Sequence, residues 1–311
     1  MAALSIDLDG IACYCAIHGL PDPPPQLKHA IYRRAVPRFA AFLRAEAVPA
    51  TFFVIARDLD DADNCRTLRA LLDQGHEVGN HSLDHFYDLS RRSPAEQAAQ
   101  IGGAAARIEA ALGQAPQGFR APGYVTTDQM LQQVAQAGMR YDSSLFPCPA
   151  YYAAKALVIA GMRARGRPSA SLVDDPRMLL APAQPYRMAQ PYWRPAAAGG
   201  KPSSAAALVQ IPMGVTPLVR LPFIGTNVLS LGPKLARLWT HAMCHRPFVH
   251  LEMHGIDLAD AGRDGLEFLR PYQADLRCPL ERKQAALRAV IHTLKARDYR
   301  FVTLRQMVAS D

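Results

Sequence analysis

The chain has 311 residues, of which half are hydrophobic and 20% are charged, so it can bury a large core and is not a disordered protein. Its formal net charge of +8 permits attraction to anionic partners, but no basic stretch is interleaved with aromatic residues, which argues against nucleic-acid binding. The six cysteines form no CxxC pair, so reduced thiols are expected. The first residues resemble no secretory signal and no run could span a membrane, which predicts a cytoplasmic location.

Strand and helix signals alternate along residues 1–141 and again after residue 247, which is the pattern of an α/β protein with a parallel sheet. The predicted elements are strand Leu4–Asp9, helix Leu27–Ala45, strand Thr51–Ile55, helix Asp61–Gln74, strand Glu77–Asn80, helix Pro94–Leu112, strand Gly118–Arg120, helix Asp128–Ala137, strand Phe248–Met253, helix Leu280–Arg297, strand Arg300–Thr303 and a terminal helix. This order predicts one domain over residues 1–311, folded as a distorted, incomplete (β/α) barrel.

The region 147–233 breaks this alternation and is predicted to be an insertion within the barrel domain. Residues 147–205 are rich in proline, alanine and arginine, and residues 205–233 hold a single charge, Arg220. Prolines within the second part exclude one long helix. Two interpretations remain open: a well-packed insertion, or an apolar lid facing a membrane. Basic residues flank this apolar segment, namely Arg163, Arg165 and Arg167 before it and Lys234 and Arg237 after it.

Two pairs of polar residues follow predicted strands near the start of the chain. Asp7 and Asp9 form a D-x-D pattern, whose carboxylates point the same way from an extended strand unless the chain turns between them. His81 and His85 can meet one ion if the residues between them begin a helical turn. The alternatives are a capped turn for the aspartates and a chance surface pair for the histidines. The histidine spacing at a strand end favours a metal site.

An arginine also ends a predicted strand, directly before a Pro-Gly turn. Arg120 can orient a carboxylate, and the backbone N–H groups around Gly123 can face an oxyanion. The alternative is an exposed arginine on an ordinary loop. In either case the guanidinium lies near the end of the sheet where barrel enzymes build their sites.

The last predicted catalytic strand carries alternating polar residues. His250, Glu252 and His254 share one face of this strand. His254 lies at the strand end beside a glycine and is predicted to act as a general acid, with Asp257 available to orient it. His250 lies deeper and is expected to be a hydrogen-bonded core residue. Together the four clusters favour metal-assisted hydrolysis, since no G-x-S-x-G elbow, G-x-G-x-x-G or P-loop is present.

The order D-x-D, H-S-x-x-H, R-x-P and L-x-x-H resembles the polysaccharide deacetylase family, also called carbohydrate esterase family 4 or the NodB homology domain. The family usually has adjacent aspartates, whereas Leu8 separates Asp7 from Asp9 here. This D-x-D form is similar to the branch that contains the undecaprenyl-linked formamidoarabinose deformylase. Two further departures are Gly123 in place of an aromatic residue after the proline, and a fourth motif at residues 141–144 with an aspartate but no tryptophan.

The resemblance implies metal-dependent removal of an N-acetyl or N-formyl group from an amino sugar. It implies that Asp9, His81 and His85 bind a divalent ion, with zinc favoured. Asp7 becomes the base, Arg120 the residue that orients it, and His254 the acid. The residues expected to contact substrate are Gly123, Tyr124, Asn80, Asp257 and Glu252.

Other activities and partners also fit these residues. The same fold hosts allantoinase-like amidases, and a non-catalytic carbohydrate- or lipid-binding protein with an idle metal site is a third hypothesis. Chitin or peptidoglycan substrates need a polar, aromatic-lined groove, whereas residues 205–233 are apolar. This contrast, with the basic flanks, favours a lipid-linked sugar and peripheral association with the inner face of the membrane.

Overall fold

The computed structural model describes residues 1–166, 169–172, 175–197 and 208–309, and within them one curled sheet of eight strands. The strand order is β6-β7-β5-β4-β3-β2-β1-β8, and every neighbouring pair is parallel except β6 and β7. The strands are β1 (Ala2–Asp7), β2 (Thr51–Val54), β3 (Glu77–Asn80), β4 (Gly118–Phe119), β5 (Tyr141–Asp142), β6 (Tyr186–Arg187), β7 (Val209–Gln210) and β8 (Val249–His254). The predicted incomplete (β/α) barrel is therefore confirmed.

The described residues also form ten α-helices. They are α1 (Ile11–Ile17), α2 (Val36–Ala45), α3 (Ala62–Asp73), α4 (Pro94–Leu112), α5 (Asp128–Gln136), α6 (Pro149–Ala164), α7 (Gly225–Ser230), α8 (Pro233–Met243), α9 (Leu280–Lys295) and α10 (Leu304–Ala309). Helix α4 begins and ends where its sequence signals predict. Ser93 and Glu96 form a capping box at its start, and Gly113 ends it with a φ of 75°.

Two predicted elements differ from the structure for local reasons. The predicted helix Leu27–Ala45 starts with a π-helical turn over residues 31–35 before α2. Pro37 has no N–H to bond the carbonyl four residues earlier, and a widened turn accommodates this loss. The predicted strand Arg300–Thr303 is reduced to one bridge between Phe301 and Ala2, because the chain enters α10 at Leu304.

Most of the apolar part of the insertion belongs to the barrel core. Val209, Ile211, Met213 and Phe223 are buried, and the carbonyl of Pro212 lies 3.0 Å from His250 Nδ1. Residues 208–224 therefore fill the gap between β5 and β8. This placement supports the interpretation of the segment as a well-packed insertion. These residues do not form a lid. Residues 218 and 219, at the tip of a hairpin, are exposed.

The structure also locates the rest of the insertion. Helix α6 was not predicted from sequence, and the region 147–233 contributes α6, β6, β7 and α7 to the fold. Residues 167, 168, 173, 174 and 198–207 lie outside the described residues, and Arg167 is one of them. No helix in the described part of the chain is both long and apolar enough to cross a membrane.

Candidate active site

Three predicted metal ligands converge at the carboxyl ends of β1 and β3. Asp9 Oδ1 lies 3.2 Å from His81 Nε2 and 3.3 Å from His85 Nε2. All three side chains are buried, and one ligand atom from each lies within 4.8 Å of the others. A carboxylate with two imidazoles is a common ligand set for a catalytic divalent ion.

The loop between the two histidines has a different shape from the predicted helical turn. Ser82 and His85 have left-handed φ values of 66° and 57°. The side-chain Oδ1 of Asn80 accepts from the Ser82 N–H at 2.8 Å, and Ser82 Oγ accepts from the His85 N–H at 3.1 Å. Such local side-chain bonds compete with a helix. They bring the two imidazole rings within 4.8 Å of each other, measured between ring centroids.

The electrostatics of this cluster fit a bound cation. His81 Nδ1 lies 2.7 Å from the Arg120 carbonyl, which orients Nε2 toward Asp9. Within the described residues, Asp9 Oδ1 and both ring nitrogens of His85 are buried without a hydrogen-bond partner. Burial alone would lower the pKa of His85, but the carboxylate of Asp9 outweighs it and raises the pKa to about 9. A divalent cation would satisfy the same atoms, which are costly to leave unpaired.

One carboxylate oxygen of Asp7 is bound by Arg120, and the other faces the predicted metal ligands. Arg120 Nη1 donates to Asp7 Oδ1 at 2.6 Å, and Asp7 Oδ2 lies 3.9 Å from His81 Nε2. The side chains of Asp7 and Arg120 are both fully buried. Arg120 is fixed in turn, because its Nη2 donates to Ser5 Oγ and Ser143 Oγ at 2.9 Å each. The predicted orientation of a carboxylate by Arg120 is thus present in the structure.

His254 is held by a carboxylate and a phenol. Its Nδ1 lies 3.2 Å from Glu252 Oε1, and its Nε2 lies 3.1 Å from the Tyr124 hydroxyl, which donates to the same Glu252 oxygen at 3.1 Å. Burial alone would lower the pKa of His254. The carboxylates of Glu252, Asp9 and Asp7 outweigh burial and raise the pKa to about 9. Burial raises the pKa of Glu252 itself.

Asp7, Asp9, His81 and His254 line a pocket of about 340 Å³. Four tyrosines line it, from α1, from the loops after β3 and β4, and from α6: Tyr14, Tyr87, Tyr124 and Tyr151. The rings of Tyr87 and His85 meet edge to face with 4.8 Å between centroids. The aromatic lining of this pocket was not predicted, because the tyrosines come from separate elements and show no pattern in sequence.

The remaining predicted site residues differ in how they relate to the pocket. Gly123 lines it, and Lys155 Nζ donates to its carbonyl at 3.1 Å. Asn80 is fully buried away from the pocket lining, and its Nδ2 donates to the carbonyl of Ile101, so its role is to shape the histidine loop. Asp257 accepts from the backbone N–H of His254 at 2.9 Å. The carboxylate that pairs with the imidazole ring is that of Glu252, whereas Asp257 contacts the backbone of the same histidine.

Several supporting residues were not found from the sequence. Ser5 lies on the same face of β1 as Asp7, and the period of two in a strand could have indicated it. Ser144 Oγ accepts from the Ala121 N–H at 2.8 Å and donates to Asp142, and this fixes the turn after β4. His250 is buried between Ser5 Oγ and the Pro212 carbonyl, as expected of a core residue.

Comparisons with known proteins agree with this fold. Residues 29–141 match the family model described as polysaccharide deacetylase, a stretch that contains His81, His85 and Arg120. The chain is 40% identical over 98 residues to a chitooligosaccharide deacetylase from Bradyrhizobium sp. (strain ANU 289), which is 31% of this chain and 43% of that protein. It is 24% identical over 147 residues to a peptidoglycan deacetylase from Helicobacter pylori, which is 47% of this chain and 49% of that protein.

The fold also matches a solved structure along nearly its full length. A family 4 acetyl xylan esterase from Clostridium thermocellum, in complex with a cobalt ion, superimposes with a TM-score of 0.50 at 17% identity. The alignment covers 99% of this chain and 90% of the esterase. In contrast, each of the two curated relatives is matched over less than half of its length.

Proposed function

Because the chain contains a polysaccharide deacetylase domain, we propose that it is a metal-dependent hydrolase that removes an N-acetyl or N-formyl group from an amino sugar. One observation carries this proposal: three sets of residues with complementary chemistry meet around one pocket. They are the donor cluster formed by Asp9, His81 and His85, the Asp7–Arg120 pair, and the His254–Glu252 pair.

The donor cluster would hold the ion. Zinc is favoured because carboxylate and imidazole groups form its usual catalytic ligand sets. A divalent ion bound there supplies Lewis acidity and eases deprotonation of water near neutral pH. A second set, Asp7, Glu252 and His254, also has ligand atoms within 4.8 Å of one another. Arg120 and Tyr124 already bind members of that set, so an acid–base role suits it better.

Asp7 acts as the general base. Its Oδ1 is engaged by Arg120, so Oδ2 receives the proton of the attacking water. The backbone N–H of Gly123 donates to the oxygen that becomes negative during attack. The next N–H in the chain is not available for this, because Tyr124 donates it to the carbonyl of Ala121 at 3.1 Å.

His254 acts as the general acid. The sugar nitrogen is a poor leaving group and must gain a proton as the C–N bond breaks. The imidazolium of His254 supplies that proton, and the Glu252 carboxylate beside Nδ1 stabilises the charged ring before transfer. The products are the free amino sugar and acetate or formate.

A lipid-linked amino sugar is a second candidate substrate, favoured by the outer face of α6. Leu157 and Val158 of this helix are 75% and 61% exposed, and Tyr152 is the one buried side chain within α6. The helix has no acidic residue, and Arg163 and Arg165 lie at its carboxyl end. An exposed apolar face with basic residues suits contact with the anionic inner face of a membrane.

Vesicle sedimentation tests this second candidate. Binding to anionic vesicles should exceed binding to neutral vesicles, weaken with salt, and be lost in Leu157→Ser/Val158→Ser. Leu238→Ser on α8, where Leu238 is 67% exposed, is the matched control and should bind like the parent. Equal sedimentation of the α6 variant and the parent would exclude α6 as the contact.

Release of acid from defined substrates tests the main proposal. The metal-free protein, with and without added Zn²⁺, is incubated with N-acetyl and N-formyl amino sugars, their oligomers and allantoin. We expect acetate or formate release that requires the ion and is lost in Asp7→Asn. Opening of allantoin alone would indicate an amidase of the same fold. Sugar binding without turnover of any substrate would indicate a non-catalytic protein.

A further inference from the structure

The turn that carries the oxyanion donor has an unfavourable backbone conformation. Gly123 and Tyr124 both have a φ of 64°. Glycine adopts this left-handed conformation without strain, whereas a bulky residue such as tyrosine rarely does. Within the turn, the Tyr124 N–H donates to the Ala121 carbonyl at 3.1 Å. A strained turn persists only where the structure around it fixes its shape, so its outside contacts matter.

Helix α6, which belongs to the insertion, packs one face against this turn. Tyr151 and Lys155 are four residues apart and therefore lie on the same face of the helix. Both line the catalytic pocket. The Tyr151 ring lies 6.2 Å from the Tyr124 ring, measured between centroids, and the Lys155 ammonium donates to the Gly123 carbonyl at 3.1 Å. The helix thus contacts the side chain of one turn residue and the backbone of the other.

Further contacts restrict both Lys155 and Gly123. Lys155 Nζ lies 5.7 Å from the Tyr151 ring centroid and 6.0 Å from the Tyr152 ring centroid, and an aromatic face attracts a cation at such distances. A Cβ atom added to Gly123 would lie 3.0 Å from Tyr87 Cδ1, so the Tyr87 ring closes the space beside the glycine. With Lys155 on its carbonyl and Tyr87 beside its Cα, Gly123 has little freedom to move.

We propose that Lys155 is a positioning residue for the reaction, which keeps the Gly123 N–H directed at the oxyanion by holding the Gly123 carbonyl. The inference rests on the proposed function, in which that N–H stabilises the oxygen that becomes negative. A donor of this kind is effective when it is preorganised, because it then needs no reorientation as the charge forms. The insertion therefore contributes to catalysis through a contact with the backbone of the turn.

Steady-state kinetics of the zinc-loaded protein with chitotetraose test this role. Lys155→Met keeps most of the apolar stem and removes the donor. We expect kcat and kcat/KM to fall together by about 10–10²-fold at unchanged KM, because the misplaced N–H is needed only once the oxygen becomes negative. Lys155→Arg keeps a charged donor and should recover most of the lost kcat. The control is Lys295→Met on α9, because the Lys295 ammonium also donates to a backbone carbonyl, that of Glu46, and does not line the catalytic pocket.

Hydrogen exchange of the full chain tests the same contact without requiring turnover. The Tyr124 N–H is bonded within the turn, so its exchange reports opening of the turn. A peptide that covers residues 119–127 should exchange faster in Lys155→Met than in the parent. The same peptide should keep the parent rate in Lys155→Arg and in Lys295→Met.

The outcomes separate this inference from the proposed function. An unchanged kcat in Lys155→Met overturns the inference while acetate release by the parent upholds the proposed function. A raised KM at unchanged kcat also overturns it, because Lys155 would then bind the substrate. If the parent releases no acid from any amino sugar, the deacylase proposal fails. Faster exchange in Lys155→Met would then still support Lys155 as the residue that holds the turn, and unchanged exchange would overturn that as well.

Discussion

The pairing of His254 with Glu252 makes a measurable prediction about pH. His254 is proposed to donate a proton, so activity requires its protonated form and is lost as pH rises through its pKa. Burial alone would lower that pKa, but nearby carboxylates raise it to about 9, and Glu252 makes the largest contribution among them. Glu252→Gln keeps the shape of the side chain and removes its charge. The pKa of His254 should therefore fall, and the alkaline limb of the pH profile should move to lower pH.

The structure sets the size of this shift. Nδ1 and Oε1 are 3.2 Å apart, and both side chains are largely shielded from solvent. Two unit charges at such a distance interact by about 5 kcal/mol at an effective dielectric constant of 20, and observed pKa shifts from one opposite charge are about 1–3 units. Starting from about 9, the limb in Glu252→Gln should lie between about pH 6 and pH 8.

The assay is kcat/KM for acid release between pH 5 and 10, since this ratio reports the pKa values of the free enzyme. Both proteins carry the same ion, so the difference between them isolates Glu252. Glu281→Gln is the matched control, because Glu281 is exposed on α9 and pairs with Arg263. An alkaline limb in Glu252→Gln that coincides with the parent limb would refute the assignment of Glu252 as the partner of His254.

Three further predictions concern the other groups of the site. Asp7→Asn should keep the ion and lose about 10²–10⁴-fold in turnover; if metal analysis shows that Asp7→Asn loses the ion while Asp9→Asn keeps it, the two roles are exchanged. His85→Ala should lose both bound metal, measured by elemental analysis, and turnover, whereas His76→Ala should retain both. Arg120→Leu leaves Asp7 buried and unpaired and should lower the free energy of unfolding by about 3–5 kcal/mol, whereas denaturation of Arg263→Leu, at an exposed ion pair, should match the parent.

The parts of the fold that the sequence predicted are those where local signals and tertiary structure agree. The bounds of α4 follow from its capping box and its terminal glycine, and β2 follows from a short run of β-branched and aromatic residues. The signals in the insertion are weaker: α6 has Pro149 in its first turn and Gly166 after its end, but no side chain caps its start. Helix α6 has little amphipathic pattern because most of its side chains are exposed, and β7 has two residues whose position depends on pairing with β5 and β6.

The candidate site was predictable to the extent that strand ends carry its residues. Asp7, Asp9, His81 and Arg120 lie at or just after the carboxyl ends of β1, β3 and β4, which are parallel strands whose ends lie on one side of the sheet. The predicted helical turn between His81 and His85 was wrong, because the path of the chain there depends on hydrogen bonds to the side chains of Asn80 and Ser82. The tyrosines of the pocket could not be predicted, because their approach depends on how separate loops and helices pack.

The partner of His254 shows why a shared strand face is not enough to assign a role. The alternating pattern of β8 placed Glu252 and His254 on one face, but Asp257 was equally near in sequence. The backbone after β8 turns into a 3-10 helix at Gly255, and this turn directs Asp257 to the backbone N–H of His254. Only the folded turn decides which carboxylate meets the ring.

Metal titration of the chelated protein tests the central claim most directly. Acetate release from chitotetraose is measured as Zn²⁺ is added in steps, with His81→Ala as the parallel sample. The account predicts that activity rises in proportion to added metal, levels off at about one equivalent per chain, and stays absent in His81→Ala. Full activity before any metal is added, or equal activity in His81→Ala, would contradict it.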